Sequence, residues 1–216
     1  MFTLLRILSL FLLTAKDVPM VVVFGRPGAG KSAVADECVQ ILLSRSSNKS
    51  LQPIGLDLDV CVPQWMRDNF AKGLYPTLEE RIEFVQSACG YVEEILQKES
   101  SSSTQQVGAV VSFSFVNTDL RDIFRERFPK AGWFLVDTSE EEAAERILKR
   151  QGHFYKGKVE TPTEKEKQTR PKGDNSEWDF APVKFPHTSL DGMATIKQNA
   201  EIVANGLLEL CRPLQQ

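Results

Sequence analysis

Eight consecutive residues near the start of the chain constrain its fold more than any other stretch. They read Gly25-Arg26-Pro27-Gly28-Ala29-Gly30-Lys31-Ser32 and fill every fixed position of the phosphate-binding loop Gly-x4-Gly-Lys-Ser/Thr. Glycines let successive backbone N–H groups turn toward phosphate oxygens, and the helix that follows such a loop adds about half a positive charge at its N-terminus. The stretch predicts a site for a nucleoside triphosphate; a glycine-rich turn without a ligand is the alternative.

The residue types in this loop indicate separate tasks. Lys31 is expected to reach the β- and γ-phosphates, and the Ser32 hydroxyl is expected to ligate magnesium. The predicted cofactors are therefore ATP and Mg²⁺. The residues of the loop that are expected to contact the nucleotide are Gly25, Gly28, Ala29, Gly30, Lys31, Ser32 and Ala33.

The sequence on either side of the loop follows the order that this motif requires. Residues 18–24 form an apolar run that is typical of a buried parallel strand. Residues 33–43 predict a helix that carries Val34, Cys38 and Ile41 on one face. Strand, glycine loop and helix therefore succeed one another as a phosphate-binding loop needs.

Length and charge limit the classes of protein and partner. A chain of 216 residues with 42% hydrophobic residues can bury one sizeable core but is short for two full domains. A net charge of −3 provides no long-range attraction for nucleic acid or an anionic membrane, so neither is an expected partner. The four cysteines are far apart and form no CxxC pair, so we expect reduced thiols and no zinc site.

The first residues form an apolar segment that precedes the first predicted strand. Its charge-free part, residues 7–13, is too short to span a bilayer, so stable membrane insertion is not expected. A secretory signal, a transit sequence and an appended extension remain open, and secretion is disfavoured because an ATP and magnesium site needs an interior compartment. We divide the chain into this extension, residues 1–17, and one domain, residues 18–216. The expected location is the cytoplasm, or a mitochondrion or plastid if residues 1–16 are a transit segment.

Apolar strands continue to alternate with helices beyond the loop. Strands are predicted at residues 51–59, 107–115 and 132–136. The first of them ends in Asp57 and Asp59, and carboxylates at the carboxyl end of a parallel strand face the ligand crevice. The predicted fold class is α/β, a P-loop NTPase fold with a parallel sheet flanked by helices.

Helix starts are marked by residues that are suited to capping. Thr77 with Glu80 forms a predicted capping box, Asn117 can cap the next helix, and Ser139 can cap the one after it. The helix after Thr77 has apolar residues every three or four positions, which indicates one buried stripe. Residues 193–210 are predicted to close the chain as an amphipathic helix.

Two polar stretches are expected to be loops. Residues 100–106 separate a helix from a strand, and residues 156–177 contain almost no large apolar side chain. The second stretch is long enough to be a lid over about residues 150–180; a passive surface insertion is the alternative. Arg146 and Arg150 lie on the helix before it, where closure of a lid would bring them to the phosphates.

Several motifs are similar to those of the gluconokinase and shikimate kinase group of P-loop small-molecule kinases. The similarity covers about residues 18–210. Phe180 and Pro186 keep the interval of that family beyond an enlarged loop. The most specific part comprises Leu120-Arg121-Asp122, Arg125, Pro129, Arg146, Arg150 and Gly152-His153-Phe154.

The resemblance implies roles for individual residues. Arg150 and Arg146 would bind the nucleotide phosphates from the lid side, and Arg81 would grip the acceptor, a role to which we also assign Arg121. Asp59 matches the carboxylate that contacts the hydroxyl to be phosphorylated. Asp57 matches an aspartate on the magnesium side, so the expected metal residues are Ser32 and Asp57, and the expected catalytic residues are Lys31, Asp59 and Arg150.

The chain departs from the family pattern in the acceptor region. Val60-Cys61-Val62 stands where gluconokinases carry a histidine and a proline, and Asn117 replaces a lysine. Ser112-Phe113-Ser114 stands where shikimate kinases have three glycines. The resemblance to this family therefore predicts the fold but not the identity of the acceptor.

Taken together, these features predict an ATP-dependent phosphotransferase that acts on a hydroxyl group of a small molecule, with a sugar acid or a polyol as the expected acceptor. The alternatives are a nucleoside or nucleotide kinase and an ATP-binding switch module that transfers nothing. The two aspartates and Arg81 favour transfer to a second substrate over switching. A monomer or a homodimer is expected.

Overall fold

The computed structural model describes residues 15–45, 50–150, 155 and 180–212. The expectations for the first 14 residues, for Gly152-His153-Phe154 and for the lid at residues 156–179 lie outside this part of the chain.

Five parallel strands form one sheet in the order β2-β3-β1-β4-β5. All five residues of the central strand β1 are buried, because helices cover the sheet on both faces. This arrangement confirms the predicted α/β fold with a parallel sheet between helices. The strands are β1 (Met20–Phe24), β2 (Leu51–Asp57), β3 (Gln106–Phe113), β4 (Gly132–Asp137) and β5 (Thr188–Asp191).

Six α-helices connect the strands or follow them in the described part of the chain. α1 and α6 pack on one face of the sheet, and α3 and α4 pack on the other. The helices are α1 (Lys31–Arg45), α2 (Gln64–Ala71), α3 (Leu78–Ser102), α4 (Thr118–Arg127), α5 (Glu140–Lys149) and α6 (Ile196–Leu210).

The alternation of side chains along β1 divides the core into two clusters. Val21 and Val23 point toward α1 and α6, whereas Val22 and Phe24 point toward α3 and α4. None of these four side chains is accessible to solvent. The central strand therefore holds both helical layers at once.

The strand register brings four loops to one edge of the sheet. Phe24, the last residue of β1, is level with Phe113 of β3 and Leu135 of β4. Asp57 at the end of β2 is level with Ser112 of β3. The phosphate-binding loop, the aspartates after β2 and the turns after β3 and β4 consequently begin side by side.

Most helix starts agree with the predicted caps. Thr77 and Glu80 form both hydrogen bonds of a capping box, and the Ser139 hydroxyl accepts a hydrogen bond from the backbone N–H of Glu142. Asn117 is the N-cap of α4, although its side chain makes no capping hydrogen bond. These starts are predictable because each depends on residues three positions apart.

Three local features differ from the sequence prediction. α3 continues to Ser102, and the Ser101 and Ser102 hydroxyls in its last turn donate to carbonyls one turn earlier, so a polar composition does not end this helix. α2 was not predicted, since Met66 is its only buried residue. β5 was not predicted either, since Leu190 is the only buried residue among its four.

All four cysteines of the chain lie within the described residues. All four thiols are free, and burial raises the pKa of Cys38 and of Cys89 to about 12. Within the described ranges, no helix is long and apolar enough to cross a membrane.

We predict that two glycine-to-alanine substitutions change stability in opposite directions. A Cβ at Gly206 in α6 would lie 2.3 Å from Cζ of the buried Phe134 ring, so Gly206→Ala is expected to lower the free energy of unfolding by about 1–3 kcal/mol. Gly90 in α3 has nothing within 4 Å of its added Cβ, so Gly90→Ala is expected to raise it by up to about 1 kcal/mol. Urea denaturation measures both, and equal effects would contradict the packing of α6 on β4.

Candidate active site

The phosphate-binding loop follows β1 and approaches its neighbours so closely that two positions exclude any side chain. Gly25 and Gly28 have positive φ angles of 152° and 84°. A Cβ at Gly25 would lie 2.7 Å from the carbonyl oxygen of Val136 in β4, and one at Gly28 would lie 2.3 Å from that of Ala143 in α5. Glycine is therefore required by both conformation and space.

The loop ends where α1 begins, at Lys31. The first N–H groups of a helix have no partner within it and carry partial positive charge, so the start of α1 provides donors for phosphate oxygens. Ser32 lies in this first turn, beside the lysine.

A cleft opens at this edge of the sheet. It brings together the loop, both predicted aspartates and two of the candidate arginines. The sequence-predicted site residues that line it are Gly28, Lys31, Ser32, Asp57, Asp59, Arg81 and Arg150.

Lys31 is buried at the base of the cleft. Only 9% of the residue is exposed, and its Nζ donates a hydrogen bond to the carbonyl oxygen of Arg26 at 3.1 Å. Burial lowers the pKa of the Lys31 ammonium to about 8, against the opposing effect of Asp59. Burial removes water from this ammonium group. A phosphate next to it would supply negative charge that stabilises its protonated form.

Ser32 and Asp57 form the pair that was predicted to hold magnesium. The Ser32 hydroxyl donates to Oδ2 of Asp57 at 2.8 Å, and Oδ1 of Asp57 accepts the backbone N–H of Asp59 at 3.0 Å. Hydroxyl and carboxylate oxygens are ligands that Mg²⁺ prefers, and it usually completes its shell with water and nucleotide phosphates. The described residues contain no group of three or more acidic, cysteine or histidine side chains suited to a metal.

Asp59 lies in a single helical turn, Leu58–Cys61, that follows β2. Arg67 in α2 holds this turn, since its Nη2 donates to the Asp59 carbonyl and its Nε donates to the Val62 carbonyl at 2.9 Å. Sequence reasoning missed Arg67 because the contact depends on a helix that was not predicted.

Arg81 is fixed on the wall of the cleft. Only 5% of the residue is exposed. Its Nε donates to Oδ2 of Asp119 in α4 at 2.8 Å, and its Nη1 donates to the Pro76 carbonyl at 3.1 Å. The ion pair joins the start of α3 to the start of α4 and sets the position of the guanidinium.

Arg146 in α5 and Arg150, which directly follows this helix, have different surroundings. Arg150 follows the helix as its C-cap, lines the cleft and lies close enough to Lys31 to oppose its protonation. Arg146 lies beside the loop instead: its Nη1 donates to the Ala29 carbonyl at 3.2 Å and its Nη2 to the Gly192 carbonyl at 3.0 Å. Arg146 therefore braces the phosphate-binding loop from outside the cleft.

Arg121 does not have the position that was expected for an acceptor-binding residue. It is 1% exposed and does not line the cleft. Its guanidinium donates to four backbone carbonyls, and burial lowers its pKa to about 10. The acceptors are Phe115 at 2.6 Å, Val116 at 3.0 Å, Ala181 at 2.7 Å and Pro182 at 3.2 Å. The physical role of Arg121 is to fasten the turn after β3 to the segment at residues 181–182.

A large part of the cleft wall is apolar, which the sequence analysis did not predict. Several of these side chains belong to helical or strand patterns that indicated only core packing. The apolar side chains that line the cleft include Val62, Met66, Phe70, Phe84, Phe113, Val116, Leu120 and Ile147. Phe113, between two serines near the end of the strand predicted at residues 107–115, was the one signal of an apolar wall.

No protein-family model matches the sequence, and no curated protein matches it either. Similar solved structures exist at low identity. A sugar kinase from Janibacter sp. HTCC2649 is 18% identical, with 89% of this chain and 95% of that chain covered and a TM-score of 0.62. The APS kinase of Mycobacterium tuberculosis in complex with AMPPNP and APS is 17% identical, with 89% and 98% covered and a TM-score of 0.59.

A gluconokinase from Sinorhizobium meliloti 1021 is 20% identical, with 90% of this chain and 93% of that chain covered and a TM-score of 0.55. Identities of this size establish the fold alone. The fold is that of P-loop small-molecule kinases, and the resemblance to gluconokinases is confirmed at that level.

We predict that Arg121→Met destabilises the protein strongly, because four backbone carbonyls lose the buried guanidinium, and of these the Val116 carbonyl still accepts a hydrogen bond from the Ala181 N–H. The expected loss in the free energy of unfolding is about 3 kcal/mol by urea denaturation. Glu126→Ala on the exposed side of the same helix is the matched control and should change it by less than about 0.5 kcal/mol. Equal losses for the two variants would contradict the structural role of Arg121.

We also predict that nucleotide binding takes up a proton above pH 8. Lys31 has a pKa of about 8 without ligand, and phosphate charges raise it, so the lysine is neutral before binding and protonated afterwards. Affinity for ADP should fall as the pH rises through 8 and continue to fall above it. Calorimetry at pH 8.5 in two buffers of different ionisation enthalpy measures the proton directly. Lys31→Met should abolish the uptake; uptake that persists in this variant would assign it to another group.

Proposed function

We propose that this protein transfers the γ-phosphoryl group of ATP to a hydroxyl group of a small acceptor. The observation that carries the proposal is the convergence of Lys31, the Ser32–Asp57 pair and Asp59 in one cleft that continues past the phosphate-binding loop to Arg81. A site for nucleotide alone would need no carboxylate and buried arginine beyond the phosphates. The solved structures of a sugar kinase, a gluconokinase and an APS kinase, which share this fold, support the same reaction class.

Each charged residue has a distinct part in this reaction. Lys31 and the N–H groups of the loop bind the β- and γ-phosphates. Ser32 and Asp57 would hold Mg²⁺, which would neutralise negative charge on the phosphate oxygens. Asp59 orients the acceptor hydroxyl and takes its proton while the oxygen attacks the γ-phosphorus. The bond from this phosphorus to the bridging oxygen breaks, and its electrons leave with ADP. Arg150 stabilises the negative charge on the phosphoryl group as it is transferred.

The finer assignment of the acceptor begins from the sequence resemblance, which favours a sugar acid or a polyol. A nucleoside or nucleotide kinase is the second candidate, and the apolar side chains on the cleft wall favour it. An ATP-binding switch would not use Asp59 and Arg81 in this way. Stimulation of ATP turnover by an acceptor separates both kinase candidates from the switch.

We predict that Asp59→Asn lowers acceptor-dependent ATP turnover on the order of a hundredfold or more, because the amide cannot take the acceptor proton. Binding of ADP with Mg²⁺ should be retained. Asp68→Asn is the matched control, since Asp68 lies exposed on α2, bonded to Gln64, and does not line the cleft. A coupled assay of ADP release with a panel of sugar acids, polyols and nucleosides measures the rates.

Two results would contradict the proposal. The first is an Asp59→Asn rate equal to that of the unchanged protein with its best acceptor. The second is ATP hydrolysis that no acceptor stimulates, which would favour the switch. Lys31→Met should remove turnover with every acceptor, and this separates activity of the protein from a contaminating kinase.

A further inference from the structure

The cleft has two chemically different ends. Lys31, Ser32 and the two aspartates line the end where phosphoryl transfer is proposed. The other end is bounded by residues of α2, α3, α4 and the carboxyl end of β3, and most of these side chains have no polar atom. An acceptor that presents its hydroxyl to Asp59 must therefore place the rest of its body against an apolar wall.

Aromatic rings form the centre of this wall. The rings of Phe84 and Phe113 lie 5.2 Å apart, centroid to centroid, with their planes inclined at 38°. Phe84 is 7% exposed and Met66 is 3% exposed, so neighbouring elements hold both side chains in place. Such a surface favours a flat ring, which gains ring contacts with phenylalanine and contacts with the methionine sulfur.

Arg81 belongs to the same wall. It lies three residues before Phe84 on α3, so the two side chains leave one face of the helix. Because Asp119 and the Pro76 carbonyl fix its guanidinium, Arg81 presents a planar group of defined position beside the rings. A planar cation of this kind suits the face or the polar edge of a heteroaromatic ring.

A ring-free polyol fits this end poorly. Each of its hydroxyl groups requires a hydrogen-bond partner when it leaves water, and a buried hydroxyl without one costs roughly tenfold or more in affinity. Among the described residues, the polar side chains beyond the aspartates are few: Ser114, Asn117, Arg81 and Tyr155, whose ring packs on Phe70. A compound that carries several hydroxyl groups would leave some of them against phenylalanine, leucine and valine.

We propose that the acceptor is an alcohol that carries a flat aromatic or heteroaromatic ring, with the ring bound against Phe84 and Phe113 and the hydroxyl directed to Asp59. The inference rests on the proposed function and refines its acceptor. Two kinds of compound share this chemistry, nucleosides and simple aryl alcohols. Both are distinguished from sugar acids and ring-free polyols.

The experiment measures ADP release with three groups of acceptor at equal concentrations. Thymidine and cytidine represent nucleosides, since they lack the adenine that would compete for the ATP site. 3-Phenylpropane-1,2-diol represents aryl alcohols, and gluconate and glycerol represent compounds without a ring. We expect nucleosides, aryl alcohols or both to stimulate turnover. The more effective of these two classes identifies the kind of ring-bearing alcohol that the cleft accepts.

Variants of the wall test where the ring binds. Phe113→Ala should raise the KM of ring-bearing acceptors roughly tenfold, a usual effect of losing one stacking partner. Phe113→Leu keeps an apolar side chain in the wall, protects the fold and should show the same direction of change. Trp65→Ala is the matched control, because Trp65 is an aromatic residue of α2 that is 43% exposed and does not line the cleft. The KM of ring-bearing acceptors should not change in the Trp65→Ala variant.

The outcomes separate this inference from the proposed function. Turnover that is stimulated by gluconate or glycerol but by no ring-bearing compound would overturn the inference. The proposed kinase activity would still be supported. Phe113-dependent binding of thymidine or the aryl diol to the ADP and Mg²⁺ complex, seen by calorimetry without turnover, would support the ring site and overturn the kinase. Ring compounds that neither bind nor react, or that bind equally to Phe113→Leu and the unchanged protein, would overturn the inference.

Discussion

The close approach of the phosphate-binding loop to the carbonyl groups of β4 and α5 is the contact on which the site depends. Gly25 and Gly28 touch these carbonyls at distances that leave no room for a Cβ. The loop is therefore held between a strand and a helix before any ligand arrives. Because β1 occupies the centre of the sheet, the same contact places the loop next to the ends of both neighbouring strands. Lys31, the aspartates after β2 and the apolar wall after β3 take their relative positions from that arrangement.

Charge and burial are combined in this cleft in a way that suits a ligand with many negative charges. Lys31 is buried and Arg81 is almost fully buried, and each has a carboxylate nearby. The carboxylates balance the cations incompletely at Lys31, since its pKa remains well below its ordinary value. Binding of phosphate therefore relieves a desolvation cost that folding has already imposed. The protein is organised for the charged complex rather than for the empty cleft.

The sequence predicted those parts of the fold and site that depend on neighbouring residues. The phosphate-binding loop, the capping box at Thr77 and the aspartates after β2 each occupy a few consecutive positions, so their physics is local. The partner of Arg81 could not be predicted, because Asp119 lies 38 positions along the chain. The apolar wall could not be predicted either, because its side chains come from separate helices and strands. The buried position of Arg121 could not be predicted for the same reason: one of its acceptors is 60 positions away, and nothing in a local pattern distinguishes a guanidinium that binds a substrate from one that binds backbone.

The anchoring of Arg121 has a consequence for how this sequence can diverge. All four of its acceptors are main-chain carbonyls, which every amino acid provides. Residues 181 and 182 can consequently drift without loss of the anchor, as long as the backbone keeps its course, whereas Phe115 and Val116 are also held by their burial in the core. The arginine itself cannot drift, because the single ammonium of a lysine does not reproduce a planar fork of donors. Homologues of this protein would then share one invariant arginine opposite variable partners, a pattern that methods based on covarying residue pairs cannot detect.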